Sequence, residues 1–244
     1  MKLISLNIWG GRITEPLLDF FTQQSDEIDI FCLQEVFNEG TTSRSIHEKS
    51  VMDIFSQIQK VLPQHKGYFL EEQINEEGMA IFVSNKVEIL ENGEEFVFRS
   101  KNSMENDDAR TLGRAVQYIR VRKDNQEYLI AHLHGLWNGQ GKTDTQDRID
   151  QSKKTKLILN KYSIPKIFVG DFNLLPDTES FRILKEEMRD LVSEYKIQST
   201  RSSLYTKPIK LADYALISYN LAVNDFRVLD VEISDHLPLM LDFK

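Results

Sequence analysis

The chain has one cysteine, Cys32, among 244 residues, so no disulfide can form within it. Cys32 lies inside the apolar run Asp29 to Leu33, where a small core residue is expected rather than a nucleophile or ligand. Bases are also short: 30 against 38 acids gives a net charge of -8. Such a chain repels a nucleic-acid backbone or an anionic membrane unless its bases are concentrated locally. This argues against tight nonspecific DNA binding without excluding a nuclease. No apolar run approaches membrane-spanning length. The start, one Lys followed by "LISLNIWGG", is too short and too soon broken by Asn7 for a signal-peptide core. A soluble, cytoplasmic monomer with no membrane partner is therefore expected, unless a leader has been removed. No repeat, low-complexity tract or Pro/Gly/Ser-rich stretch divides the sequence, which predicts one domain over 1–244.

At 41% apolar content the chain can bury a large core. Strands are expected at 2–8 and 29–34, the second so continuously apolar that both its faces should be covered. Helices are expected at 14–21, opened by a Thr cap with Pro16 in the first turn, and at 48–62, where Val51, Ile54, Phe55, Ile58, Val61 and Leu62 form a helical stripe. Short strands follow at 79–84, 95–98, 115–121 and 127–133, the last two joined by the turn "KDNQ". A helix at 145–161, a strand at 166–170, a helix near 178–188 and strands near 213–218, 226–231 and 238–243 complete the reading. The pattern implies a layered α/β sandwich.

Polar residues that carry chemistry sit where apolar runs begin or end. Glu35 follows "DIFCLQ", His134 follows "YLIAHL", and Asp171 follows "KIFVG" with Asn173 two residues on. Asp213 precedes "YALIS", Asp235 and His236 precede "LPLML", and Asn7 interrupts the first strand. Each alone fits an ordinary turn, cap or core imidazole. Together they fit a shared rim, since strand ends of α/β sheets line the cleft that binds ligands.

In order, "LNIWGG", "LQEV", "HLHG", "GDFN", "ADYALIS" and "SDHLPL" closely resemble the endonuclease/exonuclease/phosphatase superfamily of metal-dependent phosphoesterases. The resemblance runs from residue 6 to 239. It implies the four-layer DNase I-like sandwich, two mixed β-sheets face to face with helices on both outer sides, and Mg²⁺- or Mn²⁺-dependent hydrolysis of a phosphoester. By similarity Glu35 holds the metal, with Asn7 beside it and Asp235 supporting the metal or His134. Asp171 is the base that activates water, and Asn173 holds that water. His236 and His134 donate to the phosphoryl oxygens, while Asp213 orients His236. The sequence departs at His132, where many members carry Asn.

Arg110, Arg114, Arg148 with Gln151, and Arg201 with Lys207 and Lys210 are candidate phosphate contacts, or ordinary surface charge. Trp137 is a candidate stacking aromatic on a loop with Gly139, Gly141 and Lys142. That loop, "HGLWNGQGKTDT", almost reads as a P-loop, but Leu136 stands where the first Gly is required. The rival readings are a non-catalytic binding protein on the same fold and, more distantly, an NTPase. The acidic balance favours a compact phosphorylated substrate or a short single strand of nucleic acid over long duplex.

Overall fold

The computed structural model describes residues 1–41, 44, 47–106 and 108–244. Two six-stranded sheets face each other. The first comprises β1 (Lys2–Asn7), β2 (Ile30–Val36), β3 (His65–Leu70), β4 (Gly78–Ser84), β11 (Val223–Val228) and β12 (Leu239–Phe243), in the order β11-β12-β1-β2-β4-β3. The second comprises β5 (Glu88–Phe98), β6 (Arg114–Lys123), β7 (Gln126–Leu133), β8 (Lys166–Asp171), β9 (Met188–Asp190) and β10 (Asp213–Ser218), in the order β5-β6-β7-β8-β10-β9. Each sheet has a parallel pair near its centre, β1 with β2 and β7 with β8, flanked by antiparallel strands. Both sheets are therefore mixed.

Alternation along the strands explains the layers. On β2, Ile30 and Cys32 face the core between the sheets, while Phe31 and Leu33 face outward. The outward set packs under α1 (Thr14–Gln24) and α2 (Ile54–Val61). On the far side of the second sheet, α3 (Gln146–Leu159), α4 (Glu179–Lys185) and α5 (Leu191–Glu194) add Ile158, Phe181 and Leu191 to the inner cluster. This is the expected four-layer sandwich, and Cys32 is a fully buried core thiol.

Several boundaries differ from the sequence reading, for local reasons. The second helix begins at Ile54 rather than near 48. The Val51 N–H bonds the Gly10 carbonyl and the Met52 carbonyl accepts from Gly40, so this backbone serves tertiary contacts instead of a helical ladder. Thr14 does not cap the first helix; its hydroxyl donates to the Gly11 carbonyl. Strand β5 starts at Glu88, well before the expected 95, its pattern hidden by the polar residues of an exposed edge. Strand β11 lies three residues earlier than read, and β3, β9 and α5 were not expected. The "KDNQ" turn does join β6 to β7, with Asp124 and Asn125 both at positive φ as a two-residue hairpin requires. No helix among the described residues is long and apolar enough to cross a membrane.

The topology sets the site. Strands β1, β2, β7 and β8 end at one rim, and β10 and β12 start there, so Asn7, Glu35, His134, Asp171, Asp213 and His236 arrive from both sheets at a common edge. Gly170 makes the approach of β7 and β8 feasible at that edge. Its φ is +134°, and a β-carbon there would lie 2.2 Å from the Leu133 carbonyl oxygen.

Candidate active site

The rim opens into a cavity of about 450 Å³ lined by Glu35, His134, Asp171, Asn173, Asp235 and His236. A second depression, of about 420 Å³ along β3, β4 and β5, has no such convergence of carboxylates and imidazoles.

Asn7 ties the two sheets together. Its side-chain Oδ1 accepts from the Trp9 N–H at 3.0 Å, which fixes the amide so that Nδ2 donates to Glu35 Oε1 at 2.8 Å and to Asp171 Oδ2 at 3.3 Å. The turn that permits this is strained: Trp9 lies at φ 54°, unusual for a bulky residue. Glu35 is also left-handed, at φ 55°, where a bulge between Gln34 and Val36 aims its side chain into the cavity.

Asp171 Oδ1 accepts from the Asn173 backbone N–H at 3.0 Å, and the Asn173 side-chain NH₂ donates to the Gly135 carbonyl. Its other oxygen, Oδ2, lies 3.5 Å from His236 Nε2 and 3.6 Å from Arg201 Nη2. The opposite nitrogen of His236, Nδ1, meets both Asp213 oxygens at 2.8 and 3.0 Å. Asp213 also accepts from the Thr200 hydroxyl at 2.7 Å. Its first-residue position on β10, paired with Asp171 on β8, holds the two acids side by side. Burial pushes the Asp213 carboxyl up to about 6 and, with Arg201, holds His236 down to about 3. With its Nδ1–H given to Asp213, His236 turns a bare Nε2 toward the cavity.

Among the described residues Asp171, Asp213 and His236 are close enough to hold an ion. Within that trio His236 Nδ1 is already engaged by both Asp213 oxygens. The donors suited to a divalent cation lie beside it. Glu35 is pushed well above the usual carboxylate range by burial and then by Glu77, Asp235 and Asp171. Asp235 Oδ1 is buried with no hydrogen-bond partner. Hard oxygen donors of crowded carboxylates, one of them without a hydrogen-bond partner, fit Mg²⁺ or Mn²⁺.

Other expected residues fall in different places. Arg201, on the segment before β10, lines the cavity, bonds Asp235 at 2.9 Å and stacks 4.3 Å from the Tyr205 ring centre. Arg114 reaches the cavity wall but spends Nη1 on Glu72 and His134. Trp137 is half-exposed on the wall, and Lys207 lines it too. Two expectations are corrected. Arg148 is not a phosphate contact: it is buried at 1% exposure, and its guanidinium donates to the carbonyls of Leu136, Gly141 and Thr143. With Gln151, which accepts from the Leu136 N–H, it anchors the 136–143 loop from below. Arg110 is paired with Asp108 on the exposed surface and does not line the cavity. Lys142 does line it, buried with Nζ on the Leu211 carbonyl, which also removes it from a P-loop role. Sequence reasoning passed over Tyr205 and Glu72, the second because a Glu in "FLEEQ" has no motif around it.

His132 is not in the cavity. It is fully buried between the sheets, taking a hydrogen bond from Gln34 at 2.9 Å on Nδ1 and meeting Gln117 Oε1 at 2.7 Å with Nε2. Burial holds it neutral down to about 3, against an ordinary 6.5. The unfolded chain takes a proton below 6.5 that the folded one refuses, so this residue's stabilisation is complete above that pH and is lost as the pH falls. In urea unfolding, wild type should therefore lose ground to His132→Asn by up to about 1.4 kcal/mol per pH unit of acidification. A stability difference independent of pH between 7 and 5 would contradict the neutral assignment.

The chain is similar over its full length to several solved structures. An endonuclease/exonuclease/phosphatase family protein from Bacteroides thetaiotaomicron is 20% identical with TM-score 0.76, the match covering 100% of this chain and 94% of that chain. A mannosyl-6-phosphatase from Bacteroides thetaiotaomicron is 19% identical with TM-score 0.73, covering 100% and 99%. TDP2 of D. rerio, complexed with a single-strand DNA product, is 15% identical with TM-score 0.73, covering 100% and 98%. At these identities the likeness establishes the fold. No curated protein matches the sequence. The model of the Endonuclease/Exonuclease/phosphatase family matches residues 4–236, nearly the whole chain, and the chain belongs to that family.

Proposed function

We propose that this protein is a divalent-metal-dependent phosphoesterase, with a phosphodiester as the preferred bond and Asp171 as the base that activates water. The observation that carries the reading is the junction made by Asn7, which holds a metal-type carboxylate, Glu35, and a base-type carboxylate, Asp171, in one cavity.

Glu35 and Asp235, with Asn7 beside them, would hold the cation, which polarises the phosphoryl oxygens when bound. The remaining work falls to the chain itself. Asp171 Oδ2 faces the cavity and accepts a proton from water, while the Asn173 N–H fixes the carboxylate through Oδ1. His236 is neutral in the free site. An arriving phosphoryl anion adds the charge that lets Nε2 take a proton from solvent and donate it in a hydrogen bond to the phosphoryl oxygens as negative charge builds, with Asp213 supporting the imidazolium. His134 and Arg201 line the same cavity and supply further donors.

Substrate class follows from the walls. Arg12, Arg201 and Lys207 share with Trp9, Trp137 and Tyr205 the lining of a cavity sized for a compact group. Arg12 lies 4.7 Å over the Trp9 ring. Anion contacts interleaved with aromatic faces suit a phosphorylated sugar or a short single strand, and the two neighbours named for a mannosyl-phosphate activity and a DNA product are consistent with either. Hydrolysis of bis-p-nitrophenyl phosphate should require Mg²⁺ or Mn²⁺, vanish with excess EDTA and return on adding the metal. Activity indifferent to chelation would overturn the metal assignment, and a folded protein inactive on a panel of nucleic-acid and sugar phosphates would favour the binding-protein reading.

A further inference from the structure

Behind His134 lies a buried ion pair that the mechanism above does not use. Glu72 is fully buried, on the segment after β3, and its Oε1 accepts from the Ala115 backbone N–H at 2.8 Å. Its other oxygen, Oε2, meets Arg114 Nη1 at 3.0 Å. Nη1 also lies 3.2 Å from His134 Nδ1. A guanidinium has donors only, so Nδ1 must be the bare, accepting nitrogen and the ring proton must sit on Nε2. That nitrogen faces the cavity, 3.8 Å from Glu35 Oε1.

His236 is held the opposite way. A carboxylate has acceptors only, so Asp213 on Nδ1 places the proton there and leaves Nε2 bare toward Asp171.

We infer that Glu72 and Arg114 are positioning residues that lock His134 as an Nε2–H donor, so that the cavity holds two imidazoles in opposite tautomers, one giving and one accepting a hydrogen bond. This rests on the phosphoesterase reading for its purpose, but the tautomers are a property of the metal-free protein. Glu72 keeps the guanidinium in place, since a buried Arg without a partner would turn toward the cavity and release Nδ1. The arrangement divides labour in the proposed reaction: His134 supplies a permanent donor to a phosphoryl oxygen, while His236 stays able to take a proton beside the base.

Long-range ¹H–¹⁵N spectra of the metal-free, ¹⁵N-histidine-labelled full chain at neutral pH test this directly. The expected pattern is protonated Nε2 with bare Nδ1 for His134, and the reverse for His236. In Arg114→Gln, His134 should lose the single-tautomer signature, and kcat should fall about tenfold or more at little changed KM. Arg114→Lys, which keeps one donor and the charge, should restore part of both. Glu72→Gln retains an acceptor for Ala115 and should show the Arg114→Gln pattern more weakly. Protonated Nδ1 on His134 in wild type overturns the inference, even if no variant folds. So does an unchanged His134 signature in folded Arg114→Gln. Correct tautomers in a wild-type protein with no phosphoesterase activity would instead support the lock and refute the function it was assigned to serve.

Discussion

Asp171→Asn is expected to lower kcat on a phosphodiester by about a thousandfold while leaving the protein folded. The substitution is close to isosteric, and the amide oxygen still accepts from the Asn173 N–H that Oδ1 now holds. What disappears is the proton acceptor at Oδ2, the atom that faces His236 Nε2 at 3.5 Å. An amide NH₂ at that position also faces the Asn7 Nδ2 donor, so one hydrogen bond between the sheets becomes a clash of donors. Because the loss is in the chemical step, KM should move far less than kcat. Steady-state kinetics with Mg²⁺, paired with circular dichroism to verify the fold, decide the matter. Turnover by folded Asp171→Asn comparable to wild type would remove Asp171 from the role of base.

The second large effect is on stability, one residue earlier. Gly170→Ala should cost about 4 kcal/mol or more and lower the melting temperature by about 10 °C. The added β-carbon would stand 2.2 Å from the Leu133 carbonyl oxygen, in a backbone conformation of φ +134° that L side chains rarely adopt. Neither contact can be relieved by a side-chain rotation, since the obstacle is main chain. The relief is a separation of β7 from β8, which also displaces Asp171 and the Gly135 N–H that bonds its carbonyl at 2.7 Å. Urea or thermal unfolding measures the loss. A melting temperature within a degree or two of wild type would mean that the strands have room that the geometry denies.

The sequence exposed those features that depend on pattern or on chemically distinctive residues. Buried strands such as β2, β8 and β10 read clearly because both faces are apolar, and β10 was bounded as Asp213–Ser218. Edge strands read poorly: β5 carries Glu88, Glu91, Glu94 and Glu95 toward solvent, and β3 opens on His65-Lys66-Gly67, so neither shows a clean period. Helix α2 started late because Val51 and Met52 spend their backbone groups on the Gly10 turn and on Gly40, a tertiary preference no local spacing announces. At the site, the acids and imidazoles were legible as strand-end residues, and the structure gathers them in one cavity. The cations were harder to place. Arg148 and Arg201 look alike in sequence, yet one clamps three loop carbonyls from inside and the other lines the cavity beside Asp235. Only the packing of α3 beneath the 136–143 loop separates them. Glu72 had no signal, since its partners Arg114 and Ala115 lie more than forty residues away.

Neither sheet is chemically complete. Asn7, Glu35 and His236 belong to strands or flanking turns of the first, while Asp171, Asp213 and His134 belong to the second. Each half supplies only part of the proposed constellation, which is complete only where the two meet. Any change that shifts one sheet against the other is thus felt at the seam, and the outer layer takes part as well, since Arg148 and Gln151 of α3 hold the loop that carries Trp137 and Lys142.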